Sequence, residues 1–180
     1  MISKSDVPLY STPFEVELPN GWSARVETQY DDDPTPPWER ADGHGPVSGS
    51  KSSHAKRPGE RVLNRDGEHY RYYDFEEAIR IARREGWSVA RDGAKSQHGK
   101  RAQAAAAVEA DFEFLRRWCN DEWHYINVIV TLLGAEGVEV GRESLCGIED
   151  DTDYWREVAA ELINDLAAGY VMPGREEVRQ

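Results

Sequence analysis

Two pairs of short segments, each pair folded back across a turn-forming step, restrict this chain more than any other feature. Phe14-Glu15-Val16-Glu17-Leu18 and Trp22-Ser23-Ala24-Arg25-Val26-Glu27 alternate apolar with polar residues around Pro19-Asn20-Gly21. A period of two suits a strand with one buried face, and Asn-Gly supplies the positive φ angles of a tight hairpin. Glu60-Arg61-Val62-Leu63 and His69-Tyr70-Arg71-Tyr72-Tyr73 read as a second pair of strands, flanking Asn64-Arg65-Asp66-Gly67. Strands joined this way pair antiparallel without a crossover.

Helical spacing follows. Asp74 caps a helix with Glu77 at the capping-box position, Phe75, Ala78, Ile79 and Ala82 form its apolar stripe, and Gly86 stops it. Gln103 to about Glu122 is the longest helical pattern, with Val108, Phe112, Leu115, Trp118 and Cys119 on one face. The β-branched run from His124 to Leu133 predicts a strand, Gly134-Ala135-Glu136-Gly137 a turn, and Val138 to Gly147 one or two short strands. Thr152 or Asp151 caps a last helix, whose Trp155, Val158, Ala159, Leu162 and Leu166 face a core and which Gly169 ends. The pattern predicts an α+β fold, an antiparallel sheet of hairpins with about three helices packed on one face.

The chain has 180 residues, and Leu, Ile, Val and Phe together make up about 19 % of it, close to the level of disordered chains. Six Trp and eight Tyr counter full disorder, because each ring buries a large area. The polar stretch GHGPVSGSKSSHAKRPG has too little to bury to offset its ordering entropy. The expected organisation is an N-terminal hairpin with an acidic linker over 1–37, a flexible Gly/Ser/basic loop over 38–59, the α+β core over 60–170 and a frayed tail over 171–180. No apolar run is long enough to span a bilayer and the start lacks a signal-peptide core, so a cytoplasmic protein is expected. Cys119 and Cys146 are expected as free, small apolar fillers.

Net charge is -12 and unevenly spread: residues 1–39 carry -6, residues 40–101 carry +5 and residues 102–180 carry -11. Internal pairing of the basic and acidic segments is one explanation, and a bipolar surface that orients a partner is the other. So acidic a chain is repelled by phosphate backbones and suits a basic protein surface.

Nucleotide-loop, dinucleotide-binding, GxSxG and zinc spacings are absent, and nothing calls for a cofactor or metal. Three patterns carry chemistry. Asp42 and His44, on glycine-flexible backbone, are weak catalytic candidates able to move a proton or hold a metal, or else a solvated polar pair. Tyr70 and Tyr72 with Arg80, Arg83 and Arg84 mix aromatic and positive groups in a way that suits nucleic acid, or else form a packed strand beside a solvated helix face. Asp153, Glu157, Glu161 and Asp165 recur every fourth residue, forming a carboxylate row on the last helix that is either solvated or a partner-binding surface. Four helical residues rise about 6 Å, too sparse to copy phosphates spaced about 3.4 Å, so Glu109 and Glu113 would have to assist any mimicry of nucleic acid.

The stretches PPWERADGHGPVS, KRPGERVLNRDGEHYRYYDFEEAIRIARREGW and VEADFEFLRRWCNDEWHYINVIVTLL with the following ESLCGIED resemble small hypothetical accessory proteins of tailed bacteriophages and prophages. The resemblance covers most of residues 36–168 and implies a bacterial cytoplasm during infection and an accessory role. It assigns no activity or site residue. The expectation is a non-enzymatic acidic protein that binds a host or phage protein with a basic surface, inhibiting or redirecting a host-defence or nucleic-acid-processing complex. The alternatives are a nucleic-acid-associated protein and a metal-dependent enzyme centred on Asp42 and His44.

Overall fold

The first hairpin forms where its alternation places it, and its strand partner comes from the far end of the chain. In the computed structural model, which describes all residues except 9–11, 20, 34, 42, 53–54, 88–98 and 171–180, β1 (Phe14–Glu17) pairs antiparallel with β2 (Ser23–Tyr30). Leu18 N–H donates to the Trp22 carbonyl at 2.9 Å, and Gly21, at φ 78°, turns the chain. The polypeptide divides into two compact units, one of Met1–Asp32 with Trp123–Gln180 and one of Asp33–Glu122. The fold is α+β with antiparallel sheets, as the pattern predicts, but there are two sheets where one was expected. The hairpin of 1–37 and the latter part of 60–170 thus belong to one unit, with the remainder in the other.

In the discontinuous unit β6 (Tyr125–Leu133) lies between β2 and β7 (Glu139–Glu149), giving the order β1-β2-β6-β7. β7 is a single strand of 11 residues, where one or two short strands were expected. Ile126, Val128, Val130 and Leu132 share one face of β6, since alternate residues point the same way. They join a core with Val158, Ala159, Ile163 and Leu166 of α4 (Tyr154–Gly169). Gly169, expected beyond this helix, is its last residue, and Asp153 rather than Asp151 or Thr152 occupies its N-cap, with Thr152 Oγ1 accepting from Tyr154 N–H at 3.3 Å. The N-terminal segment crosses α4: Asn164 accepts from Ile2 N–H at 2.8 Å and donates to the Ile2 carbonyl at 2.7 Å, while Arg156 donates to the Val7 carbonyl at 2.7 Å.

The continuous unit holds the short α1 (Pro37–Arg40) and the sheet β3-β5-β4, formed by β3 (Lys51–Ser52), β4 (Glu60–Asp66) and β5 (His69–Asp74). Asp66 pairs with His69, so Gly67 and Glu68 alone make the turn, and Asn64, Arg65 and Asp66 belong to the strand. The register shifts around Leu63, a bulge residue that is 2 % exposed. α2 (Phe75–Glu85) starts where Asp74 accepts from Glu77 N–H at 2.9 Å and ends at Gly86 with φ 76°. It shares a core with α3 (Lys100–Cys119), and Ala78, Ala82 and Ala104, all buried, allow close helix approach.

Residues 43–52, expected to be flexible, are laid along β5. Asp74 N–H donates to the Pro46 carbonyl at 2.9 Å, Ser48 N–H to the Tyr72 carbonyl at 2.8 Å, and Tyr72 N–H to Ser48 Oγ at 3.0 Å, with Val47 bridged to Tyr73. Backbone pairing with an existing strand supplies the order that composition alone does not. Cys119 is half-buried, and burial pushes its thiol up despite the neighbouring Arg71. Cys146 is exposed on β7, so it is not an apolar filler. The expected tail at 171–180 lies outside the described residues.

Candidate functional site

The docked loop converges on Asp111. Asp111 Oδ1 lies 2.6 Å from His44 Nδ1, and Asp111 Oδ2 accepts from Gly45 N–H at 2.8 Å and from Tyr73 O–H at 2.6 Å. The His44 ring stacks on Phe114, with centroids 5.8 Å apart and planes 8° off parallel. Gly45 permits this approach, because a Cβ there would stand 2.3 Å from Tyr73 Oη. Burial and the hydrogen bond to Asp111 hold the Tyr73 phenol far above its ordinary range, so at neutral pH it stays protonated and donates. A carboxylate paired with one imidazole nitrogen orients the ring, the support that a general base uses. Here, though, the carboxylate is also occupied by Gly45 and Tyr73, and no nucleophile among the described residues is bonded to His44. The arrangement fixes the loop. Asp42, the other member of the expected pair, lies outside the described residues.

A second carboxylate strengthens the same docking. Glu60, 7 % exposed, accepts from Arg57 N–H at 2.6 Å and from the Lys51 ammonium at 2.9 Å. Burial pushes its carboxyl up, but those two donors outweigh it and hold the group below the usual carboxylate range.

The aromatic and basic residues do not form one open platform. Tyr70 and Tyr72 stack on each other at 6.0 Å, and Tyr72 is 2 % exposed with Lys51 over its ring. Arg80 pairs with Glu76 and Glu77, and Arg84 with Glu85. Arg83 is exposed on the last turn of α2.

The carboxylate row on α4 is present, with Asp153, Glu157, Glu161 and Asp165 all exposed. Lys4 Nζ sits 2.9 Å from both Asp153 and Glu157. Hydrogen bonding to Lys4 holds the Asp153 carboxyl below its ordinary value, and Glu157 and Asp153 in turn push the Lys4 ammonium up. Lys4, Glu149, Thr152, Asp153 and Glu157 line a cleft of about 420 Å³. Glu109 and Glu113 lie on α3 in the other unit, paired there with Arg61 and Arg116.

The Asp111 cluster has one visible signal in the sequence. Asp111 stands three residues after Val108 and four before Leu115, at the spacing of the buried stripe of α3. A carboxylate at a stripe position must find donors, and these come from His44, Gly45 and Tyr73. Comparison of the chain with protein-family models, with curated proteins and with solved structures finds no match.

Proposed function

We propose that the protein is a non-enzymatic binding protein whose discontinuous unit docks onto a basic protein surface. The observation that carries this reading is where the charge lies. Met1–Asp32 with Trp123–Gln180 holds 18 acidic against 6 basic side chains, whereas Asp33–Glu122 holds 16 of each. The whole net charge of -12 therefore belongs to one unit, around the exposed row of α4. In the other unit acidic and basic side chains balance, whereas the ion pairs of Lys4, Arg25 and Arg156 leave the discontinuous unit with a large acidic excess.

Lys4 gives an intramolecular example of the recognition involved, a single ammonium held by two carboxylates one helical turn apart. It occupies the first half of the row and leaves Glu161 and Asp165 for a partner. The resemblance to phage accessory proteins supports a bacterial cytoplasmic setting and, as target, a host-defence or nucleic-acid-processing complex, whose grooves are basic. Surface carboxylates of this kind steer encounter more than they deepen the final complex.

The test uses a Lys/Arg-rich peptide as probe and follows association kinetics across a salt series. Glu157→Gln with Glu161→Gln keeps the helix, since Gln is nearly as good a helix former. The double variant should associate several-fold more slowly at low salt and match the wild type at about 0.5 M salt, where screening leaves a reach of only a few ångströms. Lys4→Ala, which frees Glu157 and leaves Asp153 only its contact with Arg156, should associate faster. Equal rates for wild type and double variant at low salt would remove the row from the function.

A further inference from the structure

We infer that the cleft between the last turn of α2 and the first turn of α3 binds a phosphate-bearing small molecule of mononucleotide size. The cleft has a volume of about 580 Å³, within the range of small-molecule sites. Arg83, Arg84, Arg101 and Gln103 line it together with Glu85 and Trp87.

The charges define the ligand class. Glu85 accepts from Arg84 at 3.0 Å and from Trp87 Nε1 at 3.1 Å, so one carboxylate is shared by a guanidinium and an indole. Arg83 and Arg101 make no ion pair among the described residues. Among the described lining residues, three guanidinium groups against one carboxylate leave two positive charges, matching a phosphate dianion. Guanidinium groups also present paired N–H donors in the geometry that phosphate oxygens accept.

The fold does not require Arg101. In the first turn of α3 a positive side chain meets the positive end of the helix dipole and weakens the helix. Arg83 and Arg84, in the last turn of α2, are favourable to their own helix, so that half of the site costs nothing in stability. A bare phosphate would leave most of the cleft empty. The half-buried indole of Trp87 provides an apolar wall for the attached organic group.

The full chain should be titrated with AMP, adenosine and inorganic phosphate, followed by calorimetry and by tryptophan fluorescence. AMP should bind, adenosine should not, and inorganic phosphate should compete with AMP. Arg83→Gln and Arg101→Gln change exposed side chains and should each weaken AMP about tenfold or more, while Arg80→Gln, outside the cleft, should not. Trp87→Phe should retain the calorimetric signal and lose most of the fluorescence response. Absence of AMP binding, equal binding of adenosine, or unchanged affinity in both cleft variants would overturn the inference. So would binding of a ten-nucleotide single strand without binding of AMP, which would indicate a polymer ligand instead. The acidic row plays no part in these titrations, so they stand or fall apart from the proposed protein-binding role.

Discussion

At the scale of single residues, Asp111 organises more of the molecule than its chain neighbours suggest. It accepts from three donors, two of them in a loop 66 and 67 positions away. Asp111→Ala leaves the Tyr73 hydroxyl and the Gly45 N–H without their acceptor, at a cost of about 1–3 kcal/mol for each group that stays buried. Tyr73→Phe removes one donor and should cost about 1 kcal/mol. Denaturant melts measure both, and limited trypsin digestion gives a separate reading. Lys51 should resist cleavage in the wild type and become accessible in Asp111→Ala; equal digestion would show that Asp111 does not hold the loop. In the sequence the pairing was half legible. His44 has an acid two positions away in the sequence, yet its described partner is a remote carboxylate that only the stripe of α3 hints at. Sequence neighbours advertise chemistry that the fold then assigns to groups far along the chain.

Among the elements, the helices and turns were the most legible, because capping and periodicity are local. Asp74 and Gly86 bound α2 where their chemistry places them. The bulge at Leu63 was not legible, since a one-residue insertion is set by the partner strand and by burial of the leucine. Helical spacing places Trp118 and Trp155 on core-facing stripes but does not say how deeply each ring is buried. Trp118 and Trp155 are half-buried, the first edge-on to Trp38 at 5.5 Å and the second 6.4 Å from Phe14. Trp123, in the link before β6, is 1 % exposed and edge-on to Tyr125 at 5.1 Å. Trp123→Ala should therefore cost roughly 3–5 kcal/mol, and Trp118→Ala and Trp155→Ala distinctly less. Chemical denaturation of the three variants ranks them, and a Trp118→Ala loss as large as that of Trp123→Ala would contradict the burial order.

For the molecule as a whole, the division into units was the least legible property, because β2 and β6 are brought together across some ninety residues of intervening sequence. Strand propensity gives the members of a sheet but not which of them pair. The ends of the intervening unit leave the sheet side by side, with Asp31 N–H donating to the Tyr125 carbonyl at 2.9 Å. Replacing residues 33–122 by a short Gly/Asn turn should accordingly leave a chain that keeps its sheet signal in circular dichroism and melts cooperatively. Loss of both would mean that the discontinuous unit cannot hold its core alone. The same topology sets a schedule on the ribosome. β1 and β2 emerge before the intervening unit, carrying Val16, Ala24 and Val26, residues buried in the finished core. At about 5–20 residues per second their partner β6 follows only after roughly 5–20 s. Through that interval the nascent hairpin has no sheet to join while the intervening unit can already fold, so a hairpin made before that unit reaches its final surroundings after it.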